Sequence, residues 1–372
     1  MPSLSDTIAR LSKLRNAPGG AAFGLVDRLA DLHDFGSNPG SLRARVYLPE
    51  SLLPHAPLVV VLHGCTQNAA GYDVGSGWSQ LADRHGFALL FPEQSRSNNA
   101  NLCFNWFEPA DTMRDEGEPL SIRQMIGTML DRYALDPARV FVTGLSAGGA
   151  MTSVMLATYP EIFAGGAIIA GLPYGTAANM PQAFDRMRGH GGAEGGALAT
   201  RVRAASPHHA TWPTLSVWHG TADHTVSHAN AATIIDQWRP LHGLDREPTW
   251  RETIDGYPHR VWCDATGRAL IEEYEITGLG HGTPLATHGD GAVGAAGPHM
   301  LEAGISSTRH IAAFWGIADA AVAESVPRVA ASPLPVPLEK LSRIHATATP
   351  PAATAGVGEI IEDALRAAGL MR

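Results

Sequence analysis

The sequence has little cysteine, no long apolar run and no excess of positive charge, and each absence narrows the classes of protein to consider. Its three cysteines in 372 residues are an odd number, which favours a reducing compartment. No run approaches the roughly 18 consecutive apolar residues that a membrane-spanning helix needs. With 27 basic against 36 acidic residues, the net charge of -9 disfavours nucleic acid as a partner.

The first 20 residues also lack the continuous apolar segment of a secretory signal. Instead, Leu4, Ile8, Leu11 and Leu14 recur at helical spacing and predict a short amphipathic helix. We therefore expect a cytoplasmic protein. An extracellular protein whose signal has been removed is the alternative.

The composition is that of a folded α/β protein. At 45% hydrophobic and 17% charged residues, the chain is long enough to bury one large core. Apolar runs alternate with amphipathic segments, which predicts a doubly wound, mostly parallel sheet with helices on both faces. The predicted strands are 42–48, 57–64, 86–92, 140–143, 164–170, 213–220 and 270–277, and the predicted helices are 76–86, 119–133, 149–156, 228–239 and 306–315. In such a sheet the functional site lies at the carboxyl ends of the strands.

The sequence divides into four parts. They are an N-terminal helical arm (1–36), the α/β domain (37–317), a linker rich in alanine and proline (318–356) and a C-terminal amphipathic helix (357–372). The linker shows no hydrophobic period. The last helix is too short to be stable alone, so it must dock on its own domain, on a second copy of the chain or on an apolar surface outside the protein.

The sequence Gly144-Leu145-Ser146-Ala147-Gly148 matches the pattern G-x-S-x-G. A β-branched and aromatic run precedes it and a helical segment follows, which is the context of a nucleophile elbow. In that turn the serine is strained, its neighbours two residues away must be small, and the helix N-terminus faces developing negative charge. Ser146 is therefore the predicted nucleophile.

A serine nucleophile needs a base, and the base needs a carboxylate that orients it. In this type of fold they follow the serine in the order acid, then histidine. Asp223 comes just after the predicted strand that ends in Trp218-His219-Gly220, and His281 comes directly after the predicted strand 270–277. These two are the predicted acid and base. The competing histidines are His219, His224, His228 and, best placed of the four, His288.

Acyl transfer also needs two donors for the oxyanion. The backbone N–H groups of Ala147 and Cys65 are the predicted pair. His63, which precedes that loop, is expected to shape it and not to act as a base. Cys65 and Cys103 leave two interpretations open, a disulfide that holds the oxyanion loop to an aromatic loop, or two buried thiols. Cys263 is expected to be unpaired.

Five segments together resemble the polyhydroxybutyrate (PHB) depolymerase family of esterases with the type 1 catalytic domain. They are LHGCTQ (62–67), CFNWF (103–107), GLSAGGAM (144–151), HGTADHTV (219–226) and GLGHG (278–282), and the resemblance covers about residues 38–317. It implies an α/β-hydrolase fold, Ser146, Asp223 and His281 as the triad, and Cys65 and Ala147 as oxyanion donors. It also implies that the region of Trp106 forms a wall for the acyl chain.

The sequence departs from the family in the loop after the histidine. Family members often carry His-x-Trp-Pro-Gly, whereas this chain has His281-Gly282-Thr283-Pro284, so one wall of the cleft differs. Similar domains also include feruloyl and acetylxylan esterases and a poly(aspartic acid) hydrolase.

The leading hypothesis is a serine carboxylesterase that cleaves short-chain poly- or oligo(3-hydroxyalkanoates) through an acyl-enzyme, without metal or organic cofactor. Tyr72, Trp106, Leu145 and Tyr174 are the candidate cleft residues. The alternatives are a feruloyl-, acetylxylan-type or general carboxylesterase, a poly(aspartic acid) hydrolase, and a non-catalytic protein that binds a polymer granule. A polyester or a small ester is the expected partner, and the C-terminal helix is the expected contact for a homodimer or a granule surface.

Overall fold

The computed structural model describes residues 27–192, 196–319 and 329–330. Within them, eleven strands form one sheet and two short strands form another. The large sheet contains β1 (Ala30–Leu32), β2 (Arg43–Tyr47), β3 (Leu58–Leu62), β4 (Ala88–Glu93), β5 (Val140–Leu145), β6 (Gly165–Ile169), β7 (Thr214–Gly220), β8 (Trp250–Ile254), β9 (Tyr257–Cys263), β10 (Ala269–Ile276) and β13 (Val329–Ala330). The small sheet pairs β11 (Thr283–Leu285) with β12 (Met300–Glu302).

The centre of the large sheet is parallel and its edges are antiparallel. The strand order is β1-β2-β4-β3-β5-β6-β7-β10-β9-β8-β13. From β4 to β10 each neighbouring pair is parallel, whereas β1, β2, β9, β8 and β13 join by antiparallel pairing. This arrangement confirms the predicted α/β class and its mostly parallel sheet.

Helices cover both faces of the parallel strands. They are α1 (Ala69–Ser76), α2 (Trp78–His85), α3 (Gly117–Tyr133), α4 (Ala147–Thr158), α5 (Met180–Met187), α6 (Gly196–Ala204), α7 (Ala229–His242) and α8 (Ser307–Phe314). Side chains of β3 alternate between the two faces. Leu58, Val60 and Leu62 pack with α3, α4, α6 and α7, while Val59 and Val61 pack with α1, α2 and α8. Burial on both faces explains why β3 is apolar at every position.

The boundary of the predicted N-terminal arm is wrong. Ala30–Leu32 is not helical but pairs antiparallel with β2, and Leu32 is buried against the core. Three residues are too few to show a strand period in the sequence, so the edge strand could not be distinguished there. The predicted helix through Leu4 to Leu14 lies outside the described residues.

The segment predicted as a linker contains one described element. Val329–Ala330 pairs antiparallel with β8 and adds a strand to the edge of the sheet. The predicted helix at 357–372, with its expected dimer or granule contact, lies outside the described residues. Among the helices that are described, none combines the length and apolar character that crossing a membrane requires.

Candidate active site

Ser146 stands at the turn between β5 and α4, in a backbone conformation that few residues adopt. Its φ is 57° and its ψ is -117°. The turn is fixed by two backbone bonds, from Ser146 N–H to the carbonyl of Ile169 (2.9 Å) and from Ala150 N–H to the carbonyl of Ser146 (2.8 Å). A non-glycine residue in such a conformation costs about 1–3 kcal/mol and persists only where its surroundings enforce it. Strain of this kind clusters at functional sites.

The glycines on either side of Ser146 have no room for a side chain. A Cβ atom at Gly144 would lie 2.4 Å from the backbone of Gly148, and one at Gly148 would lie 2.3 Å from the carbonyl oxygen of Leu62. The backbone atoms that they meet belong to neighbouring elements and cannot rotate away. The small residues of the pattern are therefore required by the close approach of α4 to β5 and β3.

We expect Gly148→Ala to destabilise the protein by about 2–4 kcal/mol, because the added methyl group must displace the backbone of β3. The matched control is Gly127→Ala, in the middle of α3, where nothing lies within 4 Å of the added carbon. That change should stabilise by about 0.5–1 kcal/mol through helix propensity. Denaturant unfolding of both variants measures the difference. Equal midpoints for the two would contradict the packing argument.

Asp223 lies in the loop after β7, and its carboxylate is surrounded by donors. Oδ1 accepts bonds from the backbone N–H groups of Thr225 (2.8 Å) and Val226 (2.9 Å). Oδ2 lies 2.7 Å from Nδ1 of His281, and the side chain is fully buried. Burial alone raises the pKa of Asp223, but the hydrogen bonds from His219, His281 and Val226 outweigh it and hold the pKa well below its ordinary value. The carboxylate is therefore ionised at neutral pH.

His281 lies in the loop after β10, which packs against the loop that carries Asp223. The N–H of Ala222 donates to the carbonyl of Leu279 (3.0 Å). Because Asp223 accepts at Nδ1, the neutral imidazole carries its proton there and leaves Nε2 as the acceptor. This is the tautomer that a general base for a serine hydroxyl requires.

The sheet register brings the three predicted residues to one edge. Leu145 pairs with Ile169, and Ile169 pairs with Trp218. Gly220 pairs with Ile276 in turn. Ser146, Asp223 and His281 each follow one of these aligned strand ends within a few residues, so they share the carboxyl edge of the sheet.

The competing histidines have other surroundings. The side chain of His288 is 88% exposed, beside Glu302 at 3.8 Å. His224 and His228 are exposed. His219 is buried, with Nε2 2.9 Å from the carbonyl of Val226 and 3.4 Å from Oδ2 of Asp223. The sequence suggested His219 only as a rival base. His219 lies beside Asp223 as a second donor because the loop after β7 folds back over the end of that strand. The spacing of the residues in the sequence does not indicate this fold of the loop.

The loop after β3 lies against the elbow. A Cβ atom at Gly64 would be 3.5 Å from the carbonyl oxygen of Leu145. Within the turn, Gly64 N–H donates to the side chain of Gln67, and Thr66 N–H donates to the carbonyl of Asn101. The Cys65 N–H has no acceptor among the described residues. The first N–H groups of a helix also lack intrahelical acceptors, which applies to Ala147 at the start of α4.

Cys65 and Cys103 form a disulfide in the structure, with their Cα atoms 4.2 Å apart. The bond links the loop after β3 to the aromatic loop that contains Trp106. Of the two interpretations left open by the sequence, the structure has the bridge and not two thiols. Cys263 is outside the bridge.

Trp106 belongs to a small apolar cluster beside the elbow. The cluster consists of Trp106, Phe107, Ala147, Ala150, Leu172, Ala183 and Val226, with Cys65, Cys103, Ala177 and Met187 packed against it. These residues come from four loops and two helices, and Ala147 directly follows Ser146. This cluster is a candidate wall for an apolar acyl group.

Two of the four candidate cleft residues do not line a cleft. Tyr72 and Leu145 are each 1% exposed and pack in the core, and the hydroxyl of Tyr72 lies 3.2 Å from that of Thr283. Tyr72 therefore supports the loop after His281 from within. Tyr174 is half-buried, and its hydroxyl donates to the carbonyl of Thr112 (3.2 Å). Trp106 packs in one cluster with Ala147 and Ala150 of α4, the helix that follows Ser146.

A buried carboxylate that the sequence did not indicate holds the aromatic loop. Glu118, at the start of α3, accepts hydrogen bonds from the side chains of Gln94 (2.6 Å) and Asn98 (3.1 Å) and from the N–H of Asn105 (2.9 Å). Burial, followed by the nearby Asp111, raises the pKa of Glu118 to about 8. Gln94 also donates to the carbonyl of Cys103 (2.9 Å), so the network holds the backbone at Cys103 and at Asn105.

A family model, two related proteins and a solved structure that are similar to this chain are all described as esterases or depolymerases. The sequence model of the family described as Esterase PHB depolymerase matches residues 42–252. The chain is 45% identical over 295 residues to poly(3-hydroxyalkanoate) depolymerase C of Paucimonas lemoignei, covering 78% of this chain and 71% of that protein. It is 35% identical over 269 residues to an acetylxylan esterase of Coprinopsis cinerea, covering 69% and 70%. The solved structure of an acetyl xylan esterase from Aspergillus awamori has the same fold, with a TM-score of 0.66, 24% identity and coverage of 78% of this chain and 99% of that one.

Proposed function

The chain belongs to the PHB depolymerase family of esterases, a family of carboxylic ester hydrolases, and on that premise we propose Ser146, Asp223 and His281 as its catalytic triad and short-chain poly- and oligo(3-hydroxyalkanoates) as its substrates. The observation that carries the proposal is the 2.7 Å contact between Asp223 and His281 at the sheet edge where the strained Ser146 also stands. A buried acid, a histidine in the matching tautomer and a serine on an elbow are the parts that acyl transfer from an ester requires.

In the first half of the reaction, the Ser146 hydroxyl attacks the ester carbonyl while Nε2 of His281 takes its proton. Asp223 keeps His281 in the required tautomer and stabilises the imidazolium that forms. The N–H groups of Cys65 and Ala147 donate to the oxyanion of the tetrahedral intermediate. His281 then gives the proton to the leaving alcohol, and the acyl group remains on Ser146.

In the second half, water replaces the alcohol. His281 removes a proton from the water, and the resulting tetrahedral intermediate uses the same two N–H donors. As it collapses, His281 returns the proton to Oγ of Ser146, which releases the hydroxy acid and regenerates the serine hydroxyl and the neutral imidazole.

The polyester is favoured over a carbohydrate ester by two observations. The chain is more similar to the polyhydroxyalkanoate depolymerase than to the acetylxylan esterase, at 45% against 35% identity. The cluster around Trp106 offers an apolar wall beside the nucleophile, as an alkyl-bearing acyl group prefers. A feruloyl- or acetylxylan-type esterase is the second candidate, on the strength of that relative.

The disulfide helps to decide in which compartment the protein works. Bonds of this kind persist in oxidising compartments, so the bridge between Cys65 and Cys103 supports the extracellular alternative over the cytoplasm. A granule or dimer contact through residues 357–372 is a separate hypothesis, which truncation at residue 356 and measurement of polymer binding would test.

A panel of four substrates tests the substrate assignment. Purified enzyme is assayed on p-nitrophenyl butyrate, amorphous polyhydroxybutyrate, methyl ferulate and poly(aspartic acid). We expect release of 3-hydroxybutyrate and its oligomers from the polyester at a rate well above that on methyl ferulate, and no cleavage of the polyamide. Turnover of the small ester without polyester cleavage would contradict the depolymerase assignment while leaving the esterase chemistry intact.

A further inference from the structure

His63 directly follows the strand β3 and is almost completely buried, at 1% exposure. Both of its ring nitrogens have partners. Nδ1 lies 2.8 Å from the carbonyl oxygen of Gly64, and Nε2 accepts a hydrogen bond from the backbone N–H of Gln94 at 3.1 Å. The reaction steps derived above do not use this histidine.

The two contacts fix its protonation. Because Gln94 N–H is a donor, Nε2 must be the unprotonated nitrogen, and the single proton of the neutral ring is on Nδ1. Nδ1–H therefore donates to Gly64. Burial lowers the pKa of His63, which keeps the ring neutral and preserves this tautomer.

The carbonyl that His63 binds belongs to a particular peptide unit. Gly64 C=O and Cys65 N–H are the two ends of one planar trans peptide, so fixing the direction of the carbonyl fixes the direction of the N–H. That N–H is a proposed oxyanion donor. The preceding peptide is held as well, because Gly64 N–H donates to Gln67 at 2.8 Å.

The ring itself cannot turn freely. It packs against Phe104, which is fully buried, with ring centroids 5.0 Å apart. Phe104 follows Cys103, so the same segment that is bonded to Cys65 also holds the histidine.

We propose that His63 is a positioning residue of the oxyanion hole. It directs the Cys65 N–H at the developing oxyanion by holding the Gly64 carbonyl, which is the other end of the same peptide unit. The hydrogen bond to the carbonyl also polarises the peptide, which strengthens its N–H as a donor. This proposal rests on the assignment of Ser146 as nucleophile and of Cys65 as oxyanion donor.

Two substitutions separate the contacts of the two nitrogens. In His63→Asn the side-chain amide nitrogen can occupy the position of Nδ1 and still donate to Gly64. In His63→Gln the longer amide reaches the position of Nε2, where it can accept from Gln94. The Gly64 carbonyl then loses its shorter bond, at 2.8 Å, and keeps only the bond from the backbone N–H of Gln67, at 3.3 Å. Both variants remove the imidazole, so their difference reports the bond to Gly64.

The variants are compared with wild type and Ser146→Ala on p-nitrophenyl butyrate. Active sites are counted by titration with a fluorophosphonate, so that unfolded protein does not enter kcat. Loss of an entire oxyanion donor lowers kcat about 10²–10³-fold, and a misdirected donor should cost less. For His63→Gln we expect kcat to fall about 10–100-fold, with KM within about twofold, since the donor acts mainly in the transition state. For His63→Asn we expect kcat within about threefold of wild type.

Affinity for a boronic acid is the second readout. Its adduct with the serine is tetrahedral and needs the oxyanion hole, so its inhibition constant should rise in His63→Gln by a factor similar to the fall in kcat. Equal losses in the Asn and Gln variants, or a lower kcat with unchanged boronic acid affinity, would overturn the proposal and leave His63 a structural residue. Turnover retained by Ser146→Ala would instead contradict the proposed function. An inactive Ser146→Ala together with a fully active His63→Gln would contradict the His63 assignment alone.

Discussion

Replacing Ser146 with alanine is expected to lower kcat for ester hydrolysis by on the order of 10⁶-fold. Without the hydroxyl no acyl-enzyme can form, and only the binding groups and the oxyanion donors remain. The change should leave the fold intact, because the turn is held by the backbone N–H and carbonyl of residue 146 and not by its side chain. Initial rates on p-nitrophenyl butyrate measure the loss, and mass spectrometry after brief exposure to substrate should detect an acylated wild type and an unmodified variant.

Ser51→Ala is a suitable control for the serine substitution. Ser51 is exposed in the connection between β2 and β3, away from the carboxyl edge of the sheet. Its replacement should leave kcat and KM within twofold of wild type. If the Ser146→Ala variant kept a tenth or more of wild-type turnover, another residue would be the nucleophile.

Replacing His281 with alanine is expected to have an effect of similar size, on the order of 10⁶-fold in kcat. The variant lacks the base for the serine proton and the acid for the leaving alcohol. It also leaves the buried carboxylate of Asp223 without its closest partner, at 2.7 Å. We expect KM to change little, because the ester does not bond to the imidazole before the reaction begins. Initial rates of wild type and His281→Ala on p-nitrophenyl butyrate, compared at pH 5 to 9, measure the loss.

His288→Ala tests whether the choice between histidines is correct. The two histidines are seven positions apart in sequence, but the His288 side chain is 88% exposed and its partner is Glu302. Its replacement should leave kcat within twofold. The assignment of the base would be wrong if His288→Ala were inactive and His281→Ala retained turnover.

The buried parallel strands were predictable because their sequences are apolar throughout. β3 was expected within 57–64 and lies at Leu58–Leu62, and the strand expected at 213–220 lies at Thr214–Gly220. The meeting of Asp223 and His281 was predictable for a related reason. Each residue follows the end of such a strand, and neighbouring parallel strands end at the same edge of a sheet.

Elements and contacts that depend on tertiary structure were missed. β8 and β9 form an antiparallel hairpin at Trp250–Ile254 and Tyr257–Cys263, but their alternation is weak and their burial depends on β10. The buried Glu118 could not be recognised either, because a carboxylate in a helical first turn is ordinary in sequence, and its donors come from residues 94 to 105. Tyr72 looked like a cleft residue because α1 follows the oxyanion loop, yet its side chain faces the core.

The placement of the site across the sheet also has a consequence for folding kinetics. Asp223 and His281 meet although 58 residues separate them, and the disulfide joins residues 38 positions apart. Contacts between distant parts of a chain form slowly, because loop closure must precede them. A refolding intermediate that contained β3 to β7 but had not yet paired β10 would hold the elbow and the disulfide without the histidine. Recovery of esterase activity should therefore lag behind recovery of secondary structure, which makes turnover a stricter reporter of complete folding than circular dichroism.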